Sequence, residues 1–222
     1  MWDSVWEEIF QSRDWGKYPS EDLIRFVARN FYRVDDRAAV RLLEVGCGPG
    51  ANLWYLAREG FSFVGIDGSE TAITQAEKRL DAECPDWRAR GELRVGDIVN
   101  LPFSDASFDA VIDNEAISCN DFDASCKMYA EISRVLKLGG CMYSRTFAEG
   151  SWGDGNGESL GHGAWHCNEG PLTGKGLCRF TAEKDIAVLT QSMQLQNVEL
   201  LRWTADNQQH EIREWLITAV KS

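Results

Sequence analysis

The sequence contains few positive charges and no long apolar run. Only 23 of its 222 residues are Lys or Arg, against 35 Asp or Glu, which gives a formal net charge of −12. A surface with this excess of negative charge repels phosphate backbones and anionic membranes, so we expect neither a nucleic-acid partner nor a membrane partner. No apolar segment approaches the roughly 20 residues that span a bilayer. The sequence therefore predicts a globular protein, which we expect to be a monomer or a homodimer.

The seven cysteines include no C-x-x-C pair, and the first eight residues, MWDSVWEE, lack the basic and apolar regions of a secretory signal. An odd number of cysteines without such a signal favours reduced thiols and a cytoplasmic location. His162, His166 and Cys167 lie close together in the chain, but the segment is too rich in glycine for a helix and no fourth ligand follows. We expect no metal site.

Short apolar segments alternate with amphipathic ones through most of the chain. Hydrophobic periodicity predicts strands at 40–45, 63–66, 93–95, 110–112 and 141–147, and helices at 20–33, 51–60, 69–80, 123–136 and 181–193. Two strand-like segments, 198–203 and 211–219, flank a turn-rich stretch and indicate a hairpin. The pattern predicts an α/β fold: a doubly wound, mostly parallel, seven-stranded sheet that ends in an antiparallel hairpin.

Two segments stand outside this alternation. Residues 1–35 are expected to form an N-terminal helical arm. Residues 148–180 hold many glycines and little periodicity. Because this stretch is far longer than an ordinary connection, it indicates a functional insertion, and we expect a lid over the substrate. The whole chain, 1–222, is expected to form one domain.

A glycine loop, Gly46-x-Gly48-x-Gly50, joins the first strand to its helix, at the edge of the sheet where ligands bind in such folds. Asp67 ends the second strand and could accept both hydroxyls of a ribose. A nicotinamide dinucleotide and other adenosine-containing cofactors both suit this arrangement. Glu44 distinguishes between these two kinds of cofactor. A carboxylate beside the loop repels a pyrophosphate but tolerates a ligand that carries an ammonium and a sulfonium.

Further motifs follow in order along the chain. Together they resemble the successive motifs of the class I S-adenosylmethionine-dependent methyltransferases, and within that superfamily bacterial small-molecule enzymes linked to sugar or polysaccharide chemistry. The segments that carry this resemblance are 44–50 (EVGCGPG), 65–69 (GIDGS), 96–97 (GD), 101–103 (LPF) with 107–109 (SFD), and 134–140 (RVLKLGG). The resemblance implies a Rossmann-like methyltransferase fold and S-adenosylmethionine as the cofactor.

The resemblance also implies roles for individual residues. The methionine moiety would contact the loop and the end of the fourth strand, the ribose would contact Asp67 and its neighbours, and adenine would contact the end of the third strand. The residues expected to bind the cofactor are Glu44, Gly46, Cys47, Gly48, Asn52, Asp67, Gly68, Ser69, Asp97, Ile98, Asp113 and Asn114.

The sequence contains fewer features that indicate which residues form the site of the methyl acceptor. Many relatives place a histidine shortly after the fourth strand, where this chain has Cys119 and Asn120, so no catalytic residue is assigned. Arg145, near the end of the fifth strand, needs an anionic partner, and Glu115 is expected to pair with it beside the acceptor pocket. The candidates for the acceptor site are Glu115, Asn120, Arg145, Trp152, His162 and His166.

These observations favour methyl transfer to an oxygen or nitrogen of a small molecule. A thiol or metalloid acceptor remains an alternative within the same class. A nicotinamide-dependent oxidoreductase and a cofactor-binding regulator remain alternatives from other classes.

Overall fold

The computed structural model describes residues 2–222, which contain one large sheet with helices on both faces and one small sheet. The strands of the large sheet are β1 (Arg41–Val45), β2 (Ser62–Asp67), β3 (Gly91–Val95), β4 (Phe108–Asn114), β5 (Leu136–Phe147), β9 (Gln194–Ala205) and β10 (His210–Val220). The small sheet consists of β6 (Gly157–Gly161), β7 (Ala164–Cys167) and β8 (Leu177–Arg179). The α-helices are α1 (Val5–Ser12), α2 (Glu21–Phe31), α3 (Ala51–Arg58), α4 (Glu70–Glu83), α5 (Phe122–Val135) and α6 (Glu183–Leu189).

The large sheet has the strand order β3-β2-β1-β4-β5-β10-β9. Strands β1 to β5 run parallel, whereas β10 is antiparallel to both β5 and β9. The predicted fold class is therefore confirmed, including the terminal hairpin. The chain order reverses between β1 and β4, and ligands of such sheets bind beside that point, outside the carboxyl ends of the strands.

Two apolar clusters hold the helices against the sheet. One contains Leu23 and Phe26 of α2 together with residues of α3 and α4, and the other contains Met128 and Ile132 of α5 together with α6. Strand β1 is covered by both, which explains its nearly continuous apolar sequence. No helix within residues 2–222 has the length and apolar character needed to cross a membrane.

Several predicted boundaries differ from the structure, and two of these differences have a clear cause. Strand β5 starts at Leu136 rather than at residue 141, because the chain leaves α5 directly into the sheet and absorbs the Gly139–Gly140 pair as an irregularity in its pairing with β4. Thr181 does not cap α6, which begins at Glu183. The Thr181 hydroxyl instead accepts a hydrogen bond from Arg179, 2.9 Å away.

The segment 148–180 is more ordered than its sequence indicates. It contains the small sheet, and a cluster of Leu172, Cys178 and Phe180 packs it against Phe147 of β5. At the other end of the chain, α1 lies against α4, where the Phe10 carbonyl accepts a hydrogen bond from the Gln75 amide at 2.8 Å. Both segments thereby reach the carboxyl ends of the parallel strands.

Candidate cofactor and acceptor site

The loop between β1 and α3 depends on its glycines. Gly46, Gly48 and Gly50 have φ values of 65°, 49° and 80°, which side-chain-bearing residues rarely adopt. The N–H groups of Gly46 and Cys47 both donate to the Ile66 carbonyl, at 2.8 and 3.1 Å. These bonds fix the loop at the end of β2 and turn its backbone toward the crevice.

Asp67 ties this loop to the next one. Its carboxylate accepts hydrogen bonds from the Gly48 N–H at 2.8 Å and from the Ser69 N–H at 2.9 Å. The side chain is almost fully buried, and this burial raises the pKa of the Asp67 carboxyl above its ordinary value. Asp67 is thus a buried brace between the glycine loop and the start of the loop after β2.

Glu44 is a buried acid at the end of β1. The Asn52 amide donates to its Oε1 at 2.6 Å, while Oε2 is buried without a hydrogen-bond partner. Burial raises the pKa of Glu44 to about 8. A buried carboxyl oxygen without a partner fits a ligand that brings a hydrogen-bond donor or a positive charge.

These groups line one cavity of about 370 Å³ at the carboxyl ends of the strands. Ten of the twelve residues expected to bind the cofactor lie on its wall: Glu44, Gly46, Cys47, Gly48, Asn52, Asp67, Gly68, Asp97, Ile98 and Asn114. Most of the residues predicted from the sequence motifs therefore surround one cavity that is large enough for a ligand.

The other two residues of that set lie behind the wall. The Ser69 hydroxyl accepts from the Ala72 N–H as the cap of α4 and donates to Glu7. Asp113 is fully buried and accepts from the Ser144 hydroxyl and from two backbone N–H groups of the loop after β4. Its side chain shapes that loop, and burial raises its pKa to about 6.

The N-terminal arm forms a wall of the same cavity. The Trp2 N–H donates to the Asp97 carboxylate at 3.1 Å, and the Trp2 indole lies directly against the backbone of Gly68. Trp6 and Phe10 of α1 also line the cavity. Asp97, the residue expected to accept the adenine amino group, therefore accepts a backbone N–H of the arm in this structure.

The acceptor candidates divide into two groups. Glu115, Asn120 and Arg145 line the cavity together. The guanidinium of Arg145 lies 3.3 Å from Glu115 and 3.4 Å from Asp22, and it also contacts Glu214. The expected pairing of Arg145 with Glu115 is present, but it belongs to a cluster with two further carboxyl groups.

The remaining three candidates do not line this cavity, so a role for them at an acceptor site stays a prediction. Trp152 stacks on His210 with a ring separation of 4.0 Å. His162 stacks on Phe122 at 3.7 Å, and its Nε2 lies 3.2 Å from Asp185. His166 is exposed on β7, facing Glu158. Each of these side chains contacts a residue in or near the small sheet, and none of the three lines the cavity.

Cys119 also lies on the cavity wall. Its thiol donates to the Glu115 carbonyl at a sulfur–oxygen distance of 3.4 Å. The contact with Cys178 and burial raise the pKa of Cys119 well above its ordinary value. Cys119 therefore remains a thiol at neutral pH and is not an activated nucleophile.

Other wall residues were missed from the sequence. They include the arm residues Trp2, Trp6 and Phe10, and Leu172 and Lys175 of the segment 148–180. The first three recur at intervals of four residues, which is a helical spacing and could have indicated an aromatic helix face. Nothing in the local sequence distinguishes Leu172 and Lys175.

A model of the methyltransferase domain family matches residues 36–210, which is most of the chain. The chain belongs to this family. The predicted resemblance to class I methyltransferases is thereby confirmed, and S-adenosylmethionine is the cofactor of that class. This membership also decides against the nicotinamide cofactor that the glycine loop alone left open.

The chain is similar to several named proteins. It is 29% identical over 156 residues to the malonyl-[acyl-carrier protein] O-methyltransferase of Pseudescherichia vulneris, covering 70% of this chain and 54% of that protein. It is 34% identical over 124 residues to a phthiotriol/phenolphthiotriol dimycocerosates methyltransferase of Mycobacterium ulcerans, covering 55% of this chain and 42% of that protein. The chain thus spans about half the length of the curated relatives it matches.

Solved structures share the fold. The methyltransferase superposes on a SAM-dependent methyltransferase of Methanosarcina mazei with a TM-score of 0.69 and 20% identity, covering 92% of this chain and 98% of that one. It also superposes on the 1,6-didemethyltoxoflavin-N1-methyltransferase of Burkholderia thailandensis with a TM-score of 0.62 and 19% identity, covering 82% and 71%.

The cavity of the methyltransferase fits S-adenosylmethionine. The unpartnered Oε2 of Glu44 suits the positively charged end of the cofactor, and the open backbone of the glycine loop leaves room beside it. Asp67 and Asp97 supply carboxylates at the ends of β2 and β3. Within residues 2–222, no cluster of three or more metal-ligating side chains has the geometry of a metal site.

Cofactor binding should release a proton from Glu44. Its pKa of about 8 keeps it largely protonated at pH 7, and a nearby positive charge lowers that pKa. We expect S-adenosylhomocysteine, which retains the ammonium group, to release up to about one proton per molecule bound at pH 7 and less at pH 9. Calorimetry in buffers with different ionisation enthalpies measures this quantity.

The matched controls for this experiment are Glu44→Gln, which removes the titrating group, and Glu59→Gln, which removes a carboxylate paired with Arg37 outside the cavity. Proton release should disappear in the first variant and persist in the second. Undiminished release from the Glu44→Gln variant contradicts the assignment.

Proposed function

We propose that this protein transfers a methyl group from S-adenosylmethionine to an oxygen or nitrogen atom of a small molecule. The observation that carries the proposal is the single cavity in which the glycine loop and Asp67 lie together with Glu115, Asn120 and Arg145. A donor site and an acceptor site that share one enclosed space are what an in-line transfer requires. The names of relatives that methylate oxygen or nitrogen support the same reaction class.

On this proposal, different residues of the cavity bind different parts of the cofactor. Backbone at Gly46 and Gly48 would hold the methionine moiety, Asp67 the ribose, and Asp97 with Ile98 the adenine. When bound, the cofactor supplies a methyl group that its sulfonium has already activated. The protein needs chiefly to position an acceptor atom, which agrees with the absence of a histidine from the loop after β4, residues 115–121.

The arm 1–35 and the insertion 148–180 would close the site. Trp2, Trp6 and Trp15 of the arm and Leu172 with Lys175 of the insertion supply the wall opposite the sheet. The ammonium of Lys175 lies over the Trp15 ring, 5.0 Å from its centroid, and so joins the two segments. The Trp2 N–H donates to one oxygen of the Asp97 carboxylate, so the arm would share this carboxylate with the adenine amino group.

The acceptor chemistry rests on the groups around Glu115. A thiol or metalloid reaction that depends on a reactive cysteine is disfavoured, because the Cys119 thiol is held protonated beside Cys178. The apolar wall contributed by Met128, Phe147 and Leu172 favours an acceptor with a hydrophobic body. A metabolite with one protic group on such a body fits both features.

The proposal is tested by incubating the full chain with S-adenosylmethionine and matched amines, alcohols and thiols. We expect S-adenosylhomocysteine to form, together with a product heavier by one methylene unit, with an amine or an alcohol. Turnover of thiols alone would replace the proposal with its alternative. Tighter binding of NADH than of S-adenosylhomocysteine would contradict the proposal that S-adenosylmethionine is the methyl donor.

A further inference from the structure

Glu115 holds a backbone conformation that its side chain disfavours. Its φ is 67°, in the left-handed region where glycine and asparagine are usual. The residue follows the last residue of β4, and its N–H donates to the Arg145 carbonyl at 2.8 Å, which fixes the conformation. Strained residues of this kind persist where the surrounding structure enforces them, and they cluster at functional sites.

The cluster around Glu115 contains more negative than positive charge. Arg145 is surrounded by Glu115, Asp22 and Glu214. Glu214 is fully buried, and burial together with the charge of Glu115 raises its pKa. Even with Glu214 protonated, the carboxylates of Asp22 and Glu115 outnumber the single positive charge of Arg145, so the cluster keeps a net negative charge.

The carboxylate of Glu115 is also the accessible member of this cluster. About a third of its side chain is exposed, compared with 19% for Asp22 and 1% for Glu214. The Arg145 Nε faces Glu115 at 3.3 Å but makes no hydrogen bond. Glu115 is therefore held on the cavity wall by charge attraction, with hydrogen-bonding capacity left for a ligand.

The aromatic part of the wall of this cavity favours a cation. Trp6, Phe10 and Trp15 form a set of edge-to-face and tilted rings on the cavity wall, with centroids 5.5–5.8 Å apart. Aromatic faces attract ammonium groups, and an anionic ligand would meet the net negative charge of the cluster around Arg145. An alkyl ammonium, with a pKa of about 10, also gives its proton to a carboxylate far more readily than an alcohol hydroxyl, which is a much weaker acid.

We propose that Glu115 binds the amino group of the methyl acceptor and receives its proton, so that the substrate is an amine. This inference rests on the proposed transferase function. The acceptor ammonium gives one proton to the Glu115 carboxylate and regains its lone pair. That pair forms the new nitrogen–carbon bond while the carbon–sulfur bond breaks and its electrons stay on sulfur. The methylated nitrogen then carries the positive charge that the sulfonium lost.

Two substitutions separate the chemistry of Glu115 from its structural effect. Glu115→Gln keeps the shape and removes the charge, so turnover of arylalkyl amines should fall at least about 100-fold, within the range of lost acid–base catalysis. The affinity for S-adenosylhomocysteine should stay within twofold. Glu115→Gly relieves the left-handed strain, so its melting temperature should rise while amine turnover is lost.

Ala106→Gly is the matched control. Ala106 has a φ of 53°, is exposed and does not line the cavity. This variant should gain thermal stability as Glu115→Gly does and keep full turnover.

A binding measurement complements the assay. In the presence of S-adenosylhomocysteine, 2-phenylethylamine should raise the melting temperature of the wild type more than 2-phenylethanol does, and this difference should vanish in Glu115→Gln. Equal amine turnover by Glu115→Gln and wild type would overturn the role of Glu115 and leave the transferase function standing. Turnover of alcohols but not amines would overturn the amine assignment alone, whereas no methyl transfer to any acceptor would remove the proposed function as well.

Discussion

Replacing Gly46 with alanine should lower the free energy of unfolding by about 2–5 kcal/mol, the sum of left-handed strain and overpacking. The φ of Gly46 is 65°, and an added Cβ would lie 2.2 Å from the Ala116 side chain. Ala116 cannot yield easily, because its backbone N–H is bonded to the buried Asp113. Urea denaturation at an unchanged m-value measures the loss.

Gly60→Ala is the matched control for this effect. Gly60 has a φ of 84°, but an added Cβ would meet nothing within 4 Å. This variant should lose only the strain, about 1–2 kcal/mol. Equal losses in the two variants would show that the close approach of the Gly46 loop to Ala116 contributes nothing to stability.

Replacing Asp67 with alanine should weaken binding of S-adenosylhomocysteine by about 1.5–3 kcal/mol, the scale of hydrogen bonds to a charged acceptor. The loss corresponds to a factor of about 10–150 in Kd. The cause is twofold, because the variant lacks an acceptor for the ribose and also releases the Gly48 N–H that shapes the loop. Titration calorimetry gives the affinity directly.

Two controls accompany this measurement. Asp86→Ala removes an exposed carboxylate that does not line the cavity and should leave the affinity unchanged. Asp67→Asn keeps the shape and one acceptor oxygen, so its loss should fall between those of wild type and Asp67→Ala. Wild-type affinity in a folded Asp67→Ala variant would show that Asp67 does not hold the ribose.

The cofactor half of the site was largely predictable because its determinants are local. The glycines of the loop, Asp67 at the end of β2 and Asp97 at the end of β3 each occupy a fixed position relative to their own strand. Once strands are parallel, their carboxyl ends meet at one edge of the sheet. Ser69 and Asp113 show where this kind of prediction fails. The position of a residue relative to its strand does not determine whether its side chain faces the ligand or the supporting backbone.

The acceptor half was less predictable because its contacts join distant segments. His162 and His166 were expected at the site for their chemistry, but in the structure they lie beside Asp185 and Glu158 and do not line the cavity. Trp152 was expected to face a substrate and instead stacks on His210. The segment 148–180 lacks a periodic pattern, so its strands could not be read from the sequence and neither could the direction of its side chains.

The sequence by itself determined the α/β alternation, the terminal hairpin, the glycine loop and the family of this protein, because backbone conformation and hydrophobic periodicity depend on neighbouring residues. Only the tertiary structure decided that the Trp2 N–H binds Asp97 and that Arg145 gathers carboxyl groups from α2, the loop after β4, and β10. Those contacts join residues up to 123 positions apart. Their energies depend on packing and burial, which exist only once the chain has folded.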